Sequence, residues 1–467
     1  ETQREAEEEE DEVLGPRRIW REMKNTEFDQ AIFSLAAPAL GSLIIEPGVR
    51  TLEAMMVGRL GAARLGALSL GGSVVSVCFP LFNFFSYATT PMVARALAQQ
   101  DPKEASRLVA QGMWLSTVVG CTLMCAMLLN CDRILRTMGA NAEIFPFARK
   151  FMMIRALAAP AELWLLVAKG ASYGHQNTRA PLLAIAAGSF IHLALDSLFI
   201  LGFQWDLAGA ALAVVVSQYI ASLSLLAMLV KDRILRLSDL AMLPDISKIF
   251  DYMSAGSSLL IRTISMQTFY TVMTSYGARM GTAVIAAHAI ARQCASLEAL
   301  IVDGLAVATQ ALVAMYLAQN NKPAARRLCT RLLFLAASAG VILGSLLYAG
   351  RGGIVTAFTT DAAVIQEATR ALPLVAALQL PAALAYIYDG IFLGARDFQF
   401  LGVAMIFCVV PALVALLTAA KMFDLGLVTL WIASGTLIIA RVLVLSWRFS
   451  SSQGPLRATK RTDDEKA

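Results

Sequence analysis

The chain consists mainly of long apolar runs that are separated by short polar and charged segments. A helix needs roughly 20 apolar residues to cross the hydrocarbon core of a bilayer. The strands of a membrane barrel would alternate apolar and polar residues, which these runs do not. The pattern therefore predicts twelve membrane-spanning helices, over residues 29–57, 65–91, 106–130, 148–173, 180–202, 207–230, 247–276, 283–318, 326–349, 371–394, 399–420 and 425–449.

The two halves of the chain match each other when the sequence is shifted by 220 residues. Residues 93–108 and 313–328 then share eight identities in sixteen positions, where average composition predicts about one. The same shift aligns pairs in other regions, which are Arg59 with Arg279, Gly61 with Gly281, Asn83 with Asp303, Gly170 with Gly390 and Gly174 with Gly394. Six spans separate the copies, so we expect parallel repeats with pseudo-two-fold symmetry about the membrane normal.

The sequence thus predicts an all-α polytopic membrane protein whose two six-helix lobes enclose a cleft. The expected parts are an acidic tail with a basic juxtamembrane segment, an N-lobe, a linker, a C-lobe and a polar tail, at residues 1–28, 29–230, 231–246, 247–449 and 450–467. The acidic tail is expected to be disordered. Lys and Arg are more frequent in the loops on the side of the termini, which predicts that both termini are cytoplasmic or on the organellar equivalent of that side.

Composition agrees with a membrane protein and argues against other classes. Hydrophobic residues make up 57% of the chain and charged residues 16%, against about 45–50% and 25% in soluble domains. The net charge of +5 combines an acidic head with basic loops, so it does not indicate a nucleic-acid partner. Seven cysteines without disulfide or metal spacing, and three histidines in all, predict no metal centre. Without a paired nucleophile and base or a nucleotide-binding loop, we expect no enzyme.

The first predicted span carries charges that a bilayer opposes, at a cost of roughly 2.5–3.5 kcal/mol each. Glu46 and Glu53 lie two helical turns apart on one face, with Arg50 between them. Both glutamates are therefore candidates for a cation or proton site. Pro47 and Gly48 lie in the same span and predict a kink or local unwinding, which makes them the candidate hinge.

Two interpretations of this charged set remain open. The two glutamates and Arg50 can form an ion triplet that neutralises itself within the helix. Alternatively, at least one carboxylate changes its protonation or its partner when the helix bends. In the second repeat, the positions equivalent to Glu46 and Glu53 are occupied by Met266 and Met273. A scaffold shared by both halves would need the acids twice, so this asymmetry favours a function.

The fifth predicted span contributes a second polar pair. His192 and Asp196 are four residues apart and share a helical face. The histidine is either a hydrogen-bonded core residue or, beside the aspartate, part of a proton relay.

The second half has its own polar residues within predicted spans. Asp389 follows Tyr388 directly, and an aromatic and acidic lining suits a cleft for amphipathic or cationic organic molecules. Hydrogen bonding between helices is the other interpretation for each residue. The candidates for the lining of the substrate cleft are Arg50, Arg262, Asp303, Tyr388 and Asp389.

In order along the chain, these motifs resemble the multidrug and toxic compound extrusion (MATE) family, in its DinF-like branch, which includes plastid members of plants and algae. The first helix reads Glu46-Pro47…Leu52-Glu53-Ala54-Met55-Met56-Val57-Gly58-Arg59-Leu60-Gly61. It is similar to the branch's acid-Pro…Leu-x-Asp-Thr-x-x-x-Gly-x-Leu-Gly, with Glu in place of Asp. The segment Gly174-His175-Gln176-Asn177-Thr178-Arg179-Ala180-Pro181-Leu182 is similar to the family's Gly-x-Gln-Asp-Thr-x-x-Pro-Leu.

The resemblance implies a cation-coupled antiporter that exports organic compounds by alternating access between two lobes. In this branch a first-helix acid, an Asn and an Asp form the cation site, which the match carries over to Glu53, His192 and Asp196. His in place of Asn removes an oxygen ligand for Na⁺, so the departure favours H⁺ as the coupling ion, with no other cofactor. The alternative is a lipid-linked oligosaccharide flippase, which would need a strongly basic cleft.

We also expect a monomer whose partners are the bilayer and a small organic substrate. The resemblance implies a multi-pass protein of a plastid membrane, with a bacterial-type inner membrane or the plasma membrane as alternatives.

Overall fold

The computed structural model describes residues 26–140, 142–242, 245–422, 426–451 and 454–456. The acidic head and almost all of the two predicted tails lie outside these ranges. The helices within them are Asp29–Gly58 (α1), Ala62–Cys78 (α2), Phe84–Ala98 (α3), Pro102–Leu129 (α4), Cys131–Thr137 (α5), Phe145–Ala156 (α6), Ala159–Gly174 (α7), Arg179–Asp196 (α8), Asp206–Lys231 (α9), Leu237–Leu240 (α10), Ile246–Arg279 (α11), Thr282–Ala318 (α12), Lys322–Phe358 (α13), Ala362–Ala377 (α14), Gln379–Gly394 (α15), Phe398–Met422 (α16) and Leu427–Ser450 (α17).

The described part of the chain contains nine helical segments that are long and apolar enough to cross a bilayer. The bent pairs α6–α7 and α14–α15 raise that number to eleven. Helix α11 accounts for the remaining predicted span. Its 34 residues reach about 51 Å, although Ser257, Ser258 and Arg262 make it less apolar than the others. The protein is therefore an all-helical, multi-pass membrane protein.

Three of the predicted spans are interrupted, and proline lies at or beside each break. Residues 79–82 form a 3-10 turn around Pro80 between α2 and α3. Helices α6 and α7 meet at 45°, with Pro160 in the first turn of α7, and α14 and α15 meet at 48°, with Pro381 in the first turn of α15. Proline lacks an N–H and clashes with the preceding turn, so it favours such breaks. By contrast, α1 remains helical through Pro47 without local unwinding.

The structure repeats at the same offset of 220 residues as the sequence. Helix α7 packs against α3, and its counterpart α15 packs against α12 in the same way. A Cβ atom added to Gly170 would lie 2.7 Å from the carbonyl oxygen of Ser86. The equivalent atom at Gly390 would lie 2.8 Å from the carbonyl oxygen of Ala306. Both glycines are thus required by an identical close approach of two helices, which confirms two parallel repeats.

The chain divides into two compact units whose boundaries differ from the predicted lobes. One unit, the N unit, is Ala37–Thr263, and the other, the C unit, combines the described residues up to Ala36 with those from Ile264 onward. The start of α1 belongs to the C unit because Asp29 accepts hydrogen bonds of 2.8 and 2.6 Å from Arg331. The start of α11 belongs to the N unit because Tyr252 is fully buried and donates a hydrogen bond to the carbonyl of Leu108.

Candidate functional site

Three of the predicted site residues meet inside the N unit. Glu53 comes from α1, and His192 and Asp196 come from one face of α8. One carboxylate or imidazole ligand atom of each residue lies within 4.8 Å of the other two. All three side chains are buried. The cluster of Glu53, His192 and Asp196, here called the acid–histidine cluster, is therefore close enough to share a proton or to hold one cation.

The polar atoms of the acid–histidine cluster are poorly satisfied by the protein. His192 Nε2 lies 3.2 Å from Asp196 Oδ2, but without hydrogen-bond geometry. Within the described ranges, Glu53 Oε1 and both oxygens of Asp196 also have no hydrogen-bond partner. A buried polar group without a partner costs roughly 1–3 kcal/mol. A bound proton or cation would offset that cost.

A π-helical segment follows Asp196 directly and extends from Ser197 to Gly202. π-Helical turns are rare and occur frequently at functional sites. Asp196 is the last residue of the regular helix α8, so the carboxylate stands where the helical register changes. The hydrophobicity pattern contains no sign of this change.

A cavity of about 250 Å³ lies in the N unit and is lined by Glu53 and His192. Five further charged side chains line it, which are Glu46, Arg50, Arg155, Glu162 and Lys169. Intramembrane charges usually face a water-filled cavity or a partner. Two members of the acid–histidine cluster, Glu53 and His192, thus share a cavity with these charged side chains.

Two ion pairs divide most of these charges between them. Arg50 donates a hydrogen bond of 2.8 Å to Glu46, and both side chains are about half exposed, at 53% and 50%. Arg155 donates one of 2.8 Å to Glu162, and that pair is mostly buried. Arg50 thus pairs with one glutamate of its helix. Of the ion triplet considered from the sequence, only this half forms among the described residues, and it leaves Glu53 unpaired.

Three charged residues that line the cavity are not among the site residues predicted from the sequence. Arg155, Glu162 and Lys169 all lie within the predicted span 148–173. The rule that selected Glu46 and Glu53, namely a charge inside an apolar run, selects these residues as well. Lys169 forms no ion pair within the described part of the chain.

The other predicted cleft residues do not join the acid–histidine cluster. Asp389 is buried in the C unit, where Arg441 donates a hydrogen bond of 2.6 Å to it. Tyr388 is also buried, with its ring 5.9 Å from that of Phe449. Arg262 lies on α11 and Asp303 on α12. Of the five residues predicted to line the substrate cleft, only Arg50 lines the cavity of the N unit.

Comparisons with known proteins agree with this architecture. The MatE family model matches residues 38–198 and 259–417. The chain is 30% identical over 440 residues to Protein DETOXIFICATION 45, chloroplastic, of Arabidopsis thaliana, an alignment that covers 89% of this chain and 78% of that protein. It is 28% identical over 437 residues to DNA damage-inducible protein F of Escherichia coli (strain K12), with 91% and 93% covered.

Solved structures resemble the fold closely. "Crystal structure of MATE in the bent conformation" superposes with a TM-score of 0.84 at 19% identity and covers 91% of this chain and 96% of that one. "Outward-facing conformation of a multidrug resistance MATE family transporter of the MOP superfamily" gives a TM-score of 0.82 at 20% identity, with the same coverage. At these identities the likeness concerns the fold, and it confirms the predicted all-helical fold with two repeats.

Proposed function

The chain belongs to the MatE family, the multidrug and toxic compound extrusion transporters of the DinF-like branch, and from that premise we propose that it exports organic compounds in exchange for protons. The observation that carries this proposal is the convergence of Glu53, His192 and Asp196 within 4.8 Å. Buried carboxyl groups this close repel each other when both are ionised. A proton bound between them relieves that repulsion, so the cluster is suited to bind and release H⁺.

H⁺ suits this cluster better than Na⁺ as the coupling ion. Hard cations prefer oxygen ligands, whereas His192 offers a ring nitrogen. The two carboxylates supply oxygen, but the position that would complete the set is an imidazole. The proposal therefore assigns Glu53 and Asp196 as the proton-binding groups and His192 as their neighbour in the relay.

In the proposed cycle, the two six-helix lobes give alternating access to the substrate. Protonation of Glu53 changes the environment of α1 close to Pro47. Pro47 cannot donate a backbone hydrogen bond to the carbonyl of Leu43. A bend at this position therefore breaks fewer backbone hydrogen bonds than a bend elsewhere in the helix. Bending of α1 then expels the substrate. Deprotonation on the other side of the membrane returns the transporter to its starting conformation.

The membrane potential is sufficient to drive such an exchange. One proton exchanged for one neutral molecule moves one charge, which is worth about 2.3 kcal/mol per 100 mV. A tenfold gradient of substrate corresponds to about 1.4 kcal/mol. The proposed stoichiometry therefore sustains a gradient of well over tenfold.

We place this activity in a plastid membrane, with a bacterial-type inner membrane as the alternative. The relative Protein DETOXIFICATION 45 carries the word chloroplastic in its name, and the relative in Escherichia coli is similar over almost the whole chain. The transporter is proposed to act as a monomer on small organic molecules.

Proteoliposomes that contain a pH-sensitive dye test the proposal. Tetraphenylphosphonium, ethidium, benzoate and citrate represent organic cations and anions. A transported compound added outside should make the lumen more alkaline as protons leave in exchange. Glu53→Gln should lower this rate by about tenfold or more, because the essential proton-binding group is lost. Glu143→Gln, in an exposed loop, is the matched control. Wild-type rates in Glu53→Gln would contradict the proposal.

A further inference from the structure

The C unit contains a cavity at the position equivalent to that of the N unit. Its volume is about 190 Å³. At eleven positions, a residue that lines the cavity of the N unit has its counterpart, 220 residues later, in the lining of the C-unit cavity. The duplication has thus produced two cavities of related shape, so their different linings show what each one is suited to bind.

Several charged positions of the first cavity are uncharged in the second, which has charged side chains at other positions, namely Arg292, Glu298 and Arg441. At the positions of Glu46, Arg50 and Glu162 the C unit has methionine, tyrosine and alanine. The acid–histidine cluster has no equivalent there either, since position 273 is a methionine and positions 412 and 416 are alanine and leucine. The aromatic rings of Tyr270, Tyr386 and Trp431 line this cavity. Such walls suit an organic ring.

Three polar side chains of the C-unit cavity are available to a ligand. Arg292 lies over the ring of Tyr270, 5.5 Å from its centre, and forms no ion pair with a described carboxylate. Glu298 Oε2 and the indole nitrogen of Trp431 have no hydrogen-bond partner within the described ranges. Trp431 is 95% buried, since only 5% of it is exposed. Buried donors and acceptors normally find partners, and here a ligand can supply them.

We propose that this cavity binds a compact aromatic zwitterion, a single ring that carries both a carboxylate and an ammonium group. Arg292 and the indole N–H of Trp431 donate hydrogen bonds to the carboxylate. Glu298 accepts from the ammonium group, and the rings of Tyr270 and Tyr386 contact the aromatic ring. A cavity of roughly 150 Å³ holds benzene, so about 190 Å³ admits one ring with short substituents.

The proposed function enters this inference only in one respect, namely that the bound molecule is taken to be cargo. Binding itself requires no proton gradient. The two claims therefore fail separately. Uptake that ignores the pH gradient, in a protein that binds as described below, would contradict proton coupling and would support the site.

Three probes of matched size test the site on the wild-type protein. L-Phenylalanine carries both charged groups, 3-phenylpropionate carries only the carboxylate, and 2-phenylethylamine carries only the amine. Binding of radiolabelled L-phenylalanine to the purified full-length protein is measured with the other two as competitors. We expect L-phenylalanine to bind more tightly than either competitor by about tenfold or more, since each competitor lacks one charged group and the hydrogen bond that it would form. Equal affinity for 3-phenylpropionate, or no binding of any probe, would overturn the proposal.

Substitutions then assign each contact. Arg292→Gln should lower the affinity for L-phenylalanine and 3-phenylpropionate by about tenfold and leave the affinity for 2-phenylethylamine unchanged. Glu298→Gln should weaken the binding of only the two probes that carry an ammonium group, L-phenylalanine and 2-phenylethylamine. Trp431→Phe keeps a ring and removes the N–H, so carboxylate probes should weaken by roughly threefold to tenfold. A melting curve confirms that each variant is folded.

Two controls lie outside the cavity. Arg370 and Trp447 are exposed side chains of the C unit, and Trp447 is on the same helix as Trp431. Arg370→Gln and Trp447→Phe should bind all three probes like the wild type. Equal losses for all probes in every cavity variant, or losses of the same size in these controls, would contradict the assigned contacts.

Discussion

Glu53 differs from the other acids of the N-unit cavity in its surroundings. Glu46 and Glu162 each accept a hydrogen bond from an arginine. Glu53 is buried and lies beside Asp196, and its Oε1 atom has no hydrogen-bond partner among the residues that the structure describes. The charge of Glu46 and of Glu162 is balanced by an arginine, and we therefore propose Glu53 as the group that exchanges the proton. At the scale of single residues, the proposed coupling group differs from Glu46 and Glu162 because no arginine of the described ranges donates a hydrogen bond to it.

We propose that His192 determines which cation the acid–histidine cluster accepts. His192→Asn replaces the ring nitrogen with an amide that offers an oxygen ligand. An added contact of about 1.4 kcal/mol corresponds to about tenfold tighter Na⁺ binding. We expect a Na⁺ gradient to drive uptake into proteoliposomes through this variant and not through the wild type. His288→Asn changes the buried histidine of the C unit and is the control. A Na⁺ response equal to that of the wild type would refute the role of His192.

The pair of Arg155 and Glu162 is expected to matter for stability. Removal of one partner from a buried ion pair costs about 3–5 kcal/mol, because the other charge remains buried. Arg155→Leu should therefore lower the melting temperature in detergent, and a second change, Glu162→Leu, should restore most of it.

The control for Arg155 is Arg149, which lies on the same helix, α6. Arg149 forms an ion pair of 2.7 Å with Asp132, and both side chains are about half exposed, at 46% and 51%. Exposed pairs contribute roughly 0–1 kcal/mol, so Arg149→Leu should change the melting temperature little. A larger loss in Arg149→Leu than in Arg155→Leu would contradict the account of the buried pair.

The sequence predicts part of this site, and the part that it leaves open has a physical reason. The motifs of a known family brought Glu53, His192 and Asp196 together in advance. That Asp389 lines a substrate cleft stays a prediction. Its ion pair could not be predicted, because a sequence does not show which arginine from another helix will reach a carboxylate. That arginine is Arg441, 52 residues away along the chain, and the pairing depends on how α15 and α17 pack.

At the scale of helices, hydropathy predicts the spans well and their breaks poorly. Every predicted span corresponds to a helix, to a bent pair or, for residues 65–91, to two helices joined by a 3-10 turn, because burial in a bilayer requires a minimum apolar length. The 3-10 turn at 79–82 and the π-helical segment 197–202 were not predicted. Both keep the same apolar residues and change only the backbone hydrogen-bond register, to which a hydropathy window is insensitive.

Pro47 provides a test of the bending of α1. Pro47→Ala restores the backbone hydrogen bond to the carbonyl of Leu43, worth roughly 1 kcal/mol, and so favours the straight helix. We expect exchange to slow by about fivefold while substrate binding is retained. Stopped-flow dye measurements on proteoliposomes give the rate. Pro411→Ala, inside α16 of the C unit, is the control, and a Pro47→Ala rate equal to that of the wild type would exclude a bend at this position.

At the scale of the whole molecule, the duplication has preserved the backbone and changed the chemistry. The glycines at the close approach of α3 and α7 recur in the second half with the same neighbours, because any side chain there would separate the helices. The cavity linings have no such constraint. Only the cavity of the N unit contains Glu53 and His192, whereas the cavity of the C unit combines Tyr270, Tyr386 and Trp431 with a few charged side chains. This difference fits our proposal that one half couples the ion and the other binds an organic ligand.

Proton release on substrate binding tests the central claim most directly. If protons and substrate exclude each other, binding of one must release the other by linkage. A transported compound is added to purified protein in weak buffer, and the change in pH is recorded. We predict proton release by the wild type and by Glu143→Gln, and its loss in Glu53→Gln with substrate binding retained. Equal proton release in Glu53→Gln would show that the acid–histidine cluster does not carry the coupling proton.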